Sequence, residues 1–158
     1  MTVAEQTRSV PAASASASAA ASGASSRWVA VCRLSDLEVE RGRAALIGDT
    51  QLALFLLADG SVRAVSNFDP YGGANVLSRG IVGTKSLGNN APSSGNNEMS
   101  DSGSTASRED VPTIASPLHK QAWDLRTGMV VETQGKDARD IPVWPVAVQG
   151  DEVLVRFP

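Results

Sequence analysis

Short apolar segments separated by tight turn signals run through most of this chain, and this spacing constrains its fold more than any other feature. Gly48-Asp49-Thr50-Gln51 separates two apolar runs, 44–47 and 52–57, and Asp59-Gly60 leads directly into a third, 62–65. Turns of this length join antiparallel strands. The sequence therefore predicts a three-stranded meander in this part of the chain.

The same pattern continues to the last residues. Turn signals at Arg126-Thr127-Gly128 and Gln149-Gly150-Asp151 separate further apolar runs, and no segment repeats its apolar residues with a helical period. Pro142 and Pro145 indicate an edge position, because proline cannot donate a ladder hydrogen bond. About ten short strands predict an all-β domain, an antiparallel β-sandwich or small barrel. The other predicted strands are 28–32, 81–85, 113–116, 121–125, 129–132, 143–148 and 153–157. As a large aromatic residue in a small domain, Trp28 is expected to pack in the core.

Two stretches of the chain lack the side chains that build a core. Residues 12–26 are Ala, Ser and one Gly, and residues 86–110 are rich in Ser, Asn and Gly without Val, Ile, Phe, Tyr or Trp. Neither can offset a backbone ordering cost of roughly 1–2 kcal/mol per residue. We expect a disordered tail over 1–27, with an organelle transit peptide as the alternative, and one domain over 28–158 that carries a disordered loop insertion.

Charge and cysteine usage exclude several functional classes. The net charge is −3 and no run of Lys or Arg occurs, which argues against a nucleic-acid partner. No apolar stretch approaches the roughly 20 residues that span a bilayer, so we expect no membrane partner. The single cysteine excludes an intramolecular disulfide. These features predict a cytoplasmic protein.

Two turn-rich loops occur in a specific order among the predicted strands. The first reads Asp69-Pro70-Tyr71-Gly72-Gly73-Ala74, and the second reads Ser116-Pro117-Leu118-His119 and runs on into Trp123-Asp124-Leu125-Arg126-Thr127-Gly128. This order resembles the Rieske iron–sulfur family, whose first loop carries Cys-x-His and whose second carries Cys-x-x-His. The resemblance extends over residues 28–157 and implies a Rieske-like fold.

The resemblance also implies that the ligands of a Rieske cluster are missing. Such a cluster needs two cysteine thiolates and two histidine nitrogens. By loop position, Asp69 and Ser116 stand where the cysteines would be. Tyr71 stands in place of the first histidine, and His119 keeps the second. Cys32 is the only cysteine, and its place in the first strand indicates a small buried apolar residue. We expect no metal and no cofactor in this chain.

More narrowly, the two loop sequences are similar to the small-subunit family of the assimilatory NAD(P)H-dependent nitrite reductases. In that family the large subunit carries FAD, an iron–sulfur cluster and sirohaem, and reduces nitrite to ammonium. The resemblance implies a non-catalytic small subunit that docks on this large subunit. A free-standing interaction or regulatory module for another oxidoreductase stays open as the alternative.

No group of residues in the two loops forms a nucleophile–base–orienter set, so we expect no catalytic residue. The loop positions have structural interpretations beside functional ones. His119 is read as a loop hydrogen bond or a partner contact, Tyr71 as an interface residue or local packing, and Asp69 as a turn cap. Our hypothesis is that the loops form an exposed tip, with Tyr71 and Lys120 as partner contacts, and that this tip docks on the large subunit. A sheet face or sheet edge is the competing interface.

Overall fold

The computed structural model describes residues 26–87 and 109–158. The described residues form thirteen strands joined by turns and two short 3₁₀ segments, Leu34–Asp36 and Leu77–Arg79. The first strands are β1 (Arg27–Arg33), β2 (Gly42–Ile47), β3 (Thr50–Leu56), β4 (Val62–Ser66), β5 (Phe68–Asp69), β6 (Ala74–Asn75) and β7 (Ile81–Leu87). The others are β8 (Glu109–Ala115), β9 (Ala122–Asp124), β10 (Val130–Glu132), β11 (Val143–Trp144), β12 (Val146–Gln149) and β13 (Glu152–Phe157). The predicted tail up to residue 25 and residues 88–108 lie outside this part of the chain.

The strands form three antiparallel sheets and a small ribbon. The meander sheet has the order β11-β4-β3-β2, the terminal sheet β1-β13-β12 and the loop-bearing sheet β10-β9-β8-β7, while β5 pairs with β6. The predicted all-β antiparallel architecture is confirmed. No helix within the described ranges is both long and apolar enough to cross a membrane.

The meander sheet lies between two apolar clusters because its strands are apolar on both faces. In β3, Ala53 and Phe55 pack into a cluster with Trp123 and Leu125 of the loop-bearing side. The intervening residues of the same strand, Leu52 and Leu54, pack into a second cluster with the valines of β13. A strand buried on both faces has a continuous apolar run instead of an alternating one. This arrangement explains the run from Leu52 to Phe55, which is fully buried.

The prediction of edge strands around the prolines is confirmed. β11 is an edge of the meander sheet and β12 is an edge of the terminal sheet. Pro145 separates the two strands, so the single predicted strand 143–148 is divided where the chain passes from one sheet to the other.

Several sequence interpretations need correction. Trp28, read as a core residue, is 50% exposed. β7 and β8 extend to Leu87 and from Glu109, so two residues at each end of the predicted insertion are paired strand residues. Cys32 is half-buried, packed beside the second cluster. Its burial, and secondarily the charge of Asp36, raises the pKa of its thiol, and Arg43 opposes the shift.

Candidate functional site

Three loops meet at one end of the loop-bearing sheet, and together they form the candidate site. The first loop follows β5, the second joins β8 to β9, and the third follows β10. We call residues 69–73, 116–120 and 137–139 the tip. The sequence predicts the first two loops as neighbours, and the contacts described below join them to each other and to the third.

Asp69 and Ser116 join the first two loops from inside. Both side chains are buried, Asp69 fully, and the Ser116 hydroxyl donates to Asp69 Oδ2 at 2.5 Å. Asp69 Oδ1 accepts the backbone N–H groups of Tyr71 at 2.8 Å and Gly72 at 3.1 Å. Ser116 Oγ also accepts the Leu118 N–H at 3.1 Å. The predicted turn cap at Asp69 is therefore also the link between loops 47 residues apart in the sequence.

The glycine pair of the first loop allows this close approach. Gly73 has a φ of 68°, which favours glycine, and its N–H donates to the Asp69 carbonyl at 2.8 Å. A Cβ on Gly72 would overlap the Leu118 side chain of the second loop. The two glycines therefore allow the first loop to turn tightly and to approach the second loop closely.

Tyr71 faces the third loop and not the solvent. Its side chain is half-buried, and its hydroxyl donates to the Asp137 carbonyl at 2.5 Å and accepts the Arg139 N–H at 3.0 Å. Its ring lies 5.8 Å from the Trp123 ring. Of the two interpretations that the sequence allows for Tyr71, interface residue or local packing, these contacts favour local packing, because three partners hold the ring and hydroxyl against the domain.

Sequence reasoning missed Arg139, which fastens the third loop to the first. Its guanidinium donates to the Pro70 carbonyl at 2.8 Å and lies 5.5 Å from the centre of the Tyr71 ring. Its own carbonyl accepts the indole N–H of Trp123 at 2.7 Å. An arginine in a polar loop carries no local signal for such contacts, which depend on residues 16 to 69 positions away.

The second loop presents the exposed part of the tip. His119 and Lys120 are exposed, and Leu118 between Pro117 and His119 is 46% exposed. Lys120 has a φ of 64°, unusual for a residue with a side chain, and its N–H donates to the Ser116 carbonyl at 3.2 Å. Of the five predicted site residues, the tip therefore exposes His119 and Lys120, half-buries Tyr71 and buries Asp69 and Ser116.

Gln121 follows the second loop and is fully buried. Neither the nitrogen nor the oxygen of its side-chain amide has a hydrogen-bond partner among the described residues. An unpaired buried polar group costs about 1–3 kcal/mol. The unpaired amide of Gln121, directly beside the tip, therefore lowers the stability of the domain.

Arg126 belongs to an ion-pair cluster on the loop-bearing sheet. It pairs with the buried Asp124 at 3.1 Å and with Glu109 at 2.6 Å. Hydrogen bonds to Asp124 and then to Glu109 raise the pKa of the guanidinium. Because both partners are already engaged with Arg126, this cluster has a structural role.

The four side chains that the resemblance assigns to the ligand positions do not fit a two-iron cluster. Asp69 and Ser116 are hydrogen-bonded to each other, and the Tyr71 hydroxyl is engaged by two backbone groups. Such a cluster is held by thiolates and imidazoles, of which His119 is the sole example in the two loops. Within residues 26–87 and 109–158, no group of three or more His, Cys, Asp or Glu side chains could hold a metal ion.

Comparison with known proteins identifies relatives of the whole domain. Residues 27–87 and 85–156 match the Rieske-like [2Fe-2S] domain family. The chain is 31% identical over 110 residues to the nitrite reductase (NADH) small subunit of Escherichia coli K12, covering 69% of this chain and 81% of that protein. A crystal structure of a putative NADH-dependent nitrite reductase small subunit from Mycobacterium tuberculosis is 32% identical, with a TM-score of 0.61, over 84% of this chain and 96% of that one.

A further relative places the same kind of domain inside a larger polypeptide. The nitrite reductase [NAD(P)H] large subunit of Klebsiella oxytoca is 34% identical over 128 residues, which are 81% of this chain. The chain spans 11% of the length of that protein.

Proposed function

We propose a role for this chain that starts from its family: it belongs to the Rieske-like domain family and, within it, to the nitrite reductase small subunits. Its role is that of a subunit without a redox centre in an NAD(P)H-dependent nitrite reductase. The observation that carries the proposal is the Asp69–Ser116 hydrogen bond at 2.5 Å, between the two residues that the sequence resemblance assigns to the cysteine positions. FAD, the iron–sulfur cluster and sirohaem then belong to the large subunit. Since the reductant is NAD(P)H, the enzyme works in the cytoplasm.

Loss of the ligands leaves the tip with a binding role. A buried hydrogen bond joins the first two loops, and the Tyr71 hydroxyl bonds to the third. The second loop presents Leu118, His119 and Lys120 to the solvent. A rigid surface that carries an exposed apolar side chain beside a lysine ammonium loses little conformational entropy on binding. The Klebsiella oxytoca relative supports a lasting association, because there a similar segment is part of the large subunit itself. The tip is the docking surface for the large subunit.

The first experiment tests the absence of a cluster. The purified chain, reconstituted anaerobically with iron and sulfide, is expected to show no visible absorption of a two-iron cluster and no stoichiometric iron. Two irons per chain, with the corresponding spectrum, would overturn the first half of the proposal.

The second experiment tests docking at the tip. The double variant His119→Ala, Lys120→Glu should weaken binding to the separately purified large subunit by about tenfold or more, equal to about 1.4 kcal/mol. Nitrite reduction at limiting small subunit should fall with it. Tyr71 is not a clean probe, because its side chain also holds the third loop.

Two controls locate the interface. Arg27→Glu reverses a charge in β1, outside the tip, and should leave binding unchanged. Trp28→Ala removes the exposed indole from the terminal sheet. If Trp28→Ala weakens binding while the tip variant does not, a sheet face is the interface. If the wild-type chain does not bind the large subunit at all, the protein is not its subunit.

A further inference from the structure

A pocket of about 300 Å³ lies at the edge of the meander sheet, and none of the residues that line it belongs to the tip. It is lined by residues 62–64 of β4, by residues 125–126 after β9, and by residues 143–146 from β11 into β12. β11 pairs with β4 at only two positions, because Pro145 then takes the chain into the terminal sheet. Among the described residues, the first two residues of β4 therefore have no partner strand on this side, and the pocket lies beside them.

The pocket combines an apolar wall with positive charge. Its charged side chains are those of Arg63 and Arg126, and no acidic residue lines it. Apolar side chains form most of the wall: Val62, Leu125, Val143, Trp144, Pro145 and Val146. Ligand pockets in proteins start at roughly 300 Å³ and have mostly apolar walls with a few polar groups that fix the orientation of the ligand. These walls suit a small ligand with an apolar body and one negative charge.

Arg126 is not the group that would hold such a ligand, because its donors are already used. Its Nε donates to Asp124 Oδ1 at 3.2 Å and its Nη2 to Asp124 Oδ2 at 3.1 Å, while Nη1 pairs with Glu109. The first two bonds form the side-on pair in which one edge of a guanidinium holds both oxygens of one carboxylate. The charge of Arg126 is therefore balanced within the chain.

Arg63 has no such partner among the described residues. Its side chain is half-buried, its Nε is buried without a hydrogen-bond acceptor, and no carboxylate of the described chain forms an ion pair with it. Hydrogen bonds from Ser61, and secondarily the charge of Arg63, lower the pKa of Asp59, but this carboxylate is engaged by the N–H and hydroxyl of Ser61. A buried donor on a charged group is costly to leave without an acceptor.

We propose that the pocket binds a small carboxylate with an apolar tail, held side-on by Nε and one terminal nitrogen of Arg63. The half-exposed side chain turns its Nε edge toward the pocket, and the carboxylate makes the two-point contact that Asp124 makes with Arg126. The tail packs against Trp144 and the aliphatic wall. A phosphate group fits less well, because one arginine would leave most of its oxygens without a donor.

The binding experiment uses the isolated full chain and benzoate as the probe, followed by the NMR shifts of backbone amides. We expect saturable shifts at residues 62–64 and 143–144, described by one Kd. Benzamide keeps the aromatic ring without the charge, and formate and nitrite keep a charged pair of oxygens without a tail. Each of these three is expected to bind about tenfold more weakly or worse, since it lacks one of the two contacts.

Variants of Arg63 separate a binding role from a structural one. Arg63→Met keeps an unbranched apolar stem without the guanidinium, and should weaken benzoate binding by about tenfold or more. Without benzoate its melting temperature should stay unchanged or rise, because a buried donor without an acceptor is removed. Arg63→Lys keeps the charge but not the side-on pair, and should bind benzoate about threefold more weakly or worse. Arg41→Met is the matched control, since this exposed arginine does not line the pocket, and should bind like the wild type.

Several outcomes would overturn the proposal. One is the absence of saturable shifts with benzoate, and another is binding of benzamide, formate or nitrite as tight as that of benzoate. Unchanged benzoate binding by Arg63→Met, or a lowered melting temperature of that variant without benzoate, would make the arginine a structural residue. If benzoate does not bind and Arg63→Met weakens binding to the large subunit, the arginine belongs to a protein interface instead. Since the isolated chain is titrated, binding of benzoate does not depend on the proposed function.

Discussion

The meander sheet and the tip are ordered by different interactions. Around β3, consecutive residues from Leu52 to Phe55 are buried by apolar neighbours on both faces. At the tip, the buried groups are the carboxylate of Asp69 and the hydroxyl of Ser116, with backbone N–H groups around them. The apolar layers would tolerate other hydrophobic side chains of similar volume, whereas a polar pair loses its function when either partner is removed.

This difference shows how a metal site can be lost without loss of its loops. A cluster joins two loops by strong bonds through iron, and removal of its ligands would leave the loops unconnected. Here the side chains at the two cysteine positions bond to each other, and Tyr71 adds a connection to a third loop. The shape of the tip is retained by hydrogen bonds, so it can serve as a binding surface.

The largest effect is expected where the two regions meet, at Trp123. Its ring packs in the apolar cluster of the meander sheet and against Tyr71, and its N–H holds the third loop. Trp123→Ala should lower the free energy of unfolding by about 3–5 kcal/mol, as measured by urea denaturation. Trp28→Ala, at the half-exposed tryptophan, is the matched control and should lower the free energy of unfolding by much less than Trp123→Ala. Equal costs would show that burial does not distinguish the two positions.

A smaller effect is expected for the polar link. Asp69→Ala should destabilise the domain by about 1–3 kcal/mol, because Ser116 and two N–H groups lose their acceptor. Combined with Ser116→Ala, the double variant should cost less than the sum of the single variants, with a coupling of about 0.5–3 kcal/mol. Asp49→Ala changes an exposed aspartate in the turn between β2 and β3 and should have little effect. Strict additivity of Asp69 and Ser116 would contradict the link.

Tyr71→Phe isolates the connection to the third loop. The ring and its contact with Trp123 remain, while the bonds of the hydroxyl to Asp137 and Arg139 are lost. The expected cost is about 0.5–1.5 kcal/mol. Amide hydrogen exchange should accelerate at Arg139, whose N–H donates to this hydroxyl, and remain slow in β3. Unchanged exchange at Arg139 would mean that the hydroxyl does not hold the loop.

The smallest effect is expected for the loop between β7 and β8. Residues 89–107 contain none of the apolar types of the two clusters except alanine, so a short Gly-containing turn should replace them with little change in melting temperature. A shorter loop costs less to close, by about 0.6 kcal/mol per halving of length. Loss of cooperative unfolding in this variant would show that the segment supports the loop-bearing sheet.

The sequence alone predicted most of the strands and turns, because the signals for both lie in a few adjacent residues. The meander, the hairpins and the edge position of the proline strands all follow from a few adjacent residues. Trp28 was wrongly predicted to be buried, because the residues around it in the sequence do not show which face of its strand packs against the domain. The short β5–β6 ribbon, Phe68–Asp69 with Ala74–Asn75, has no apolar run to mark it.

Only part of the candidate site could be predicted from the sequence, since its contacts join residues that are far apart in the chain. The two loops and the residues at their ligand positions came from the resemblance. The hydrogen bond between Asp69 and Ser116 joins residues 47 positions apart, and that of Tyr71 to Asp137 spans 66. No local pattern reports which way a tyrosine side chain turns in a loop. Arg139 was missed for the same reason.

The pairing of the first strand with the last has a consequence for the synthesis of the chain. Arg27 pairs with Phe157, and Arg33 pairs with Glu152. While the ribosome still holds β13, at a synthesis rate of about 5–20 residues per second, β1 has no partner strand and its apolar inner face stays uncovered. β1 can therefore join the terminal sheet only after β13 has emerged, seconds after β1 itself is made.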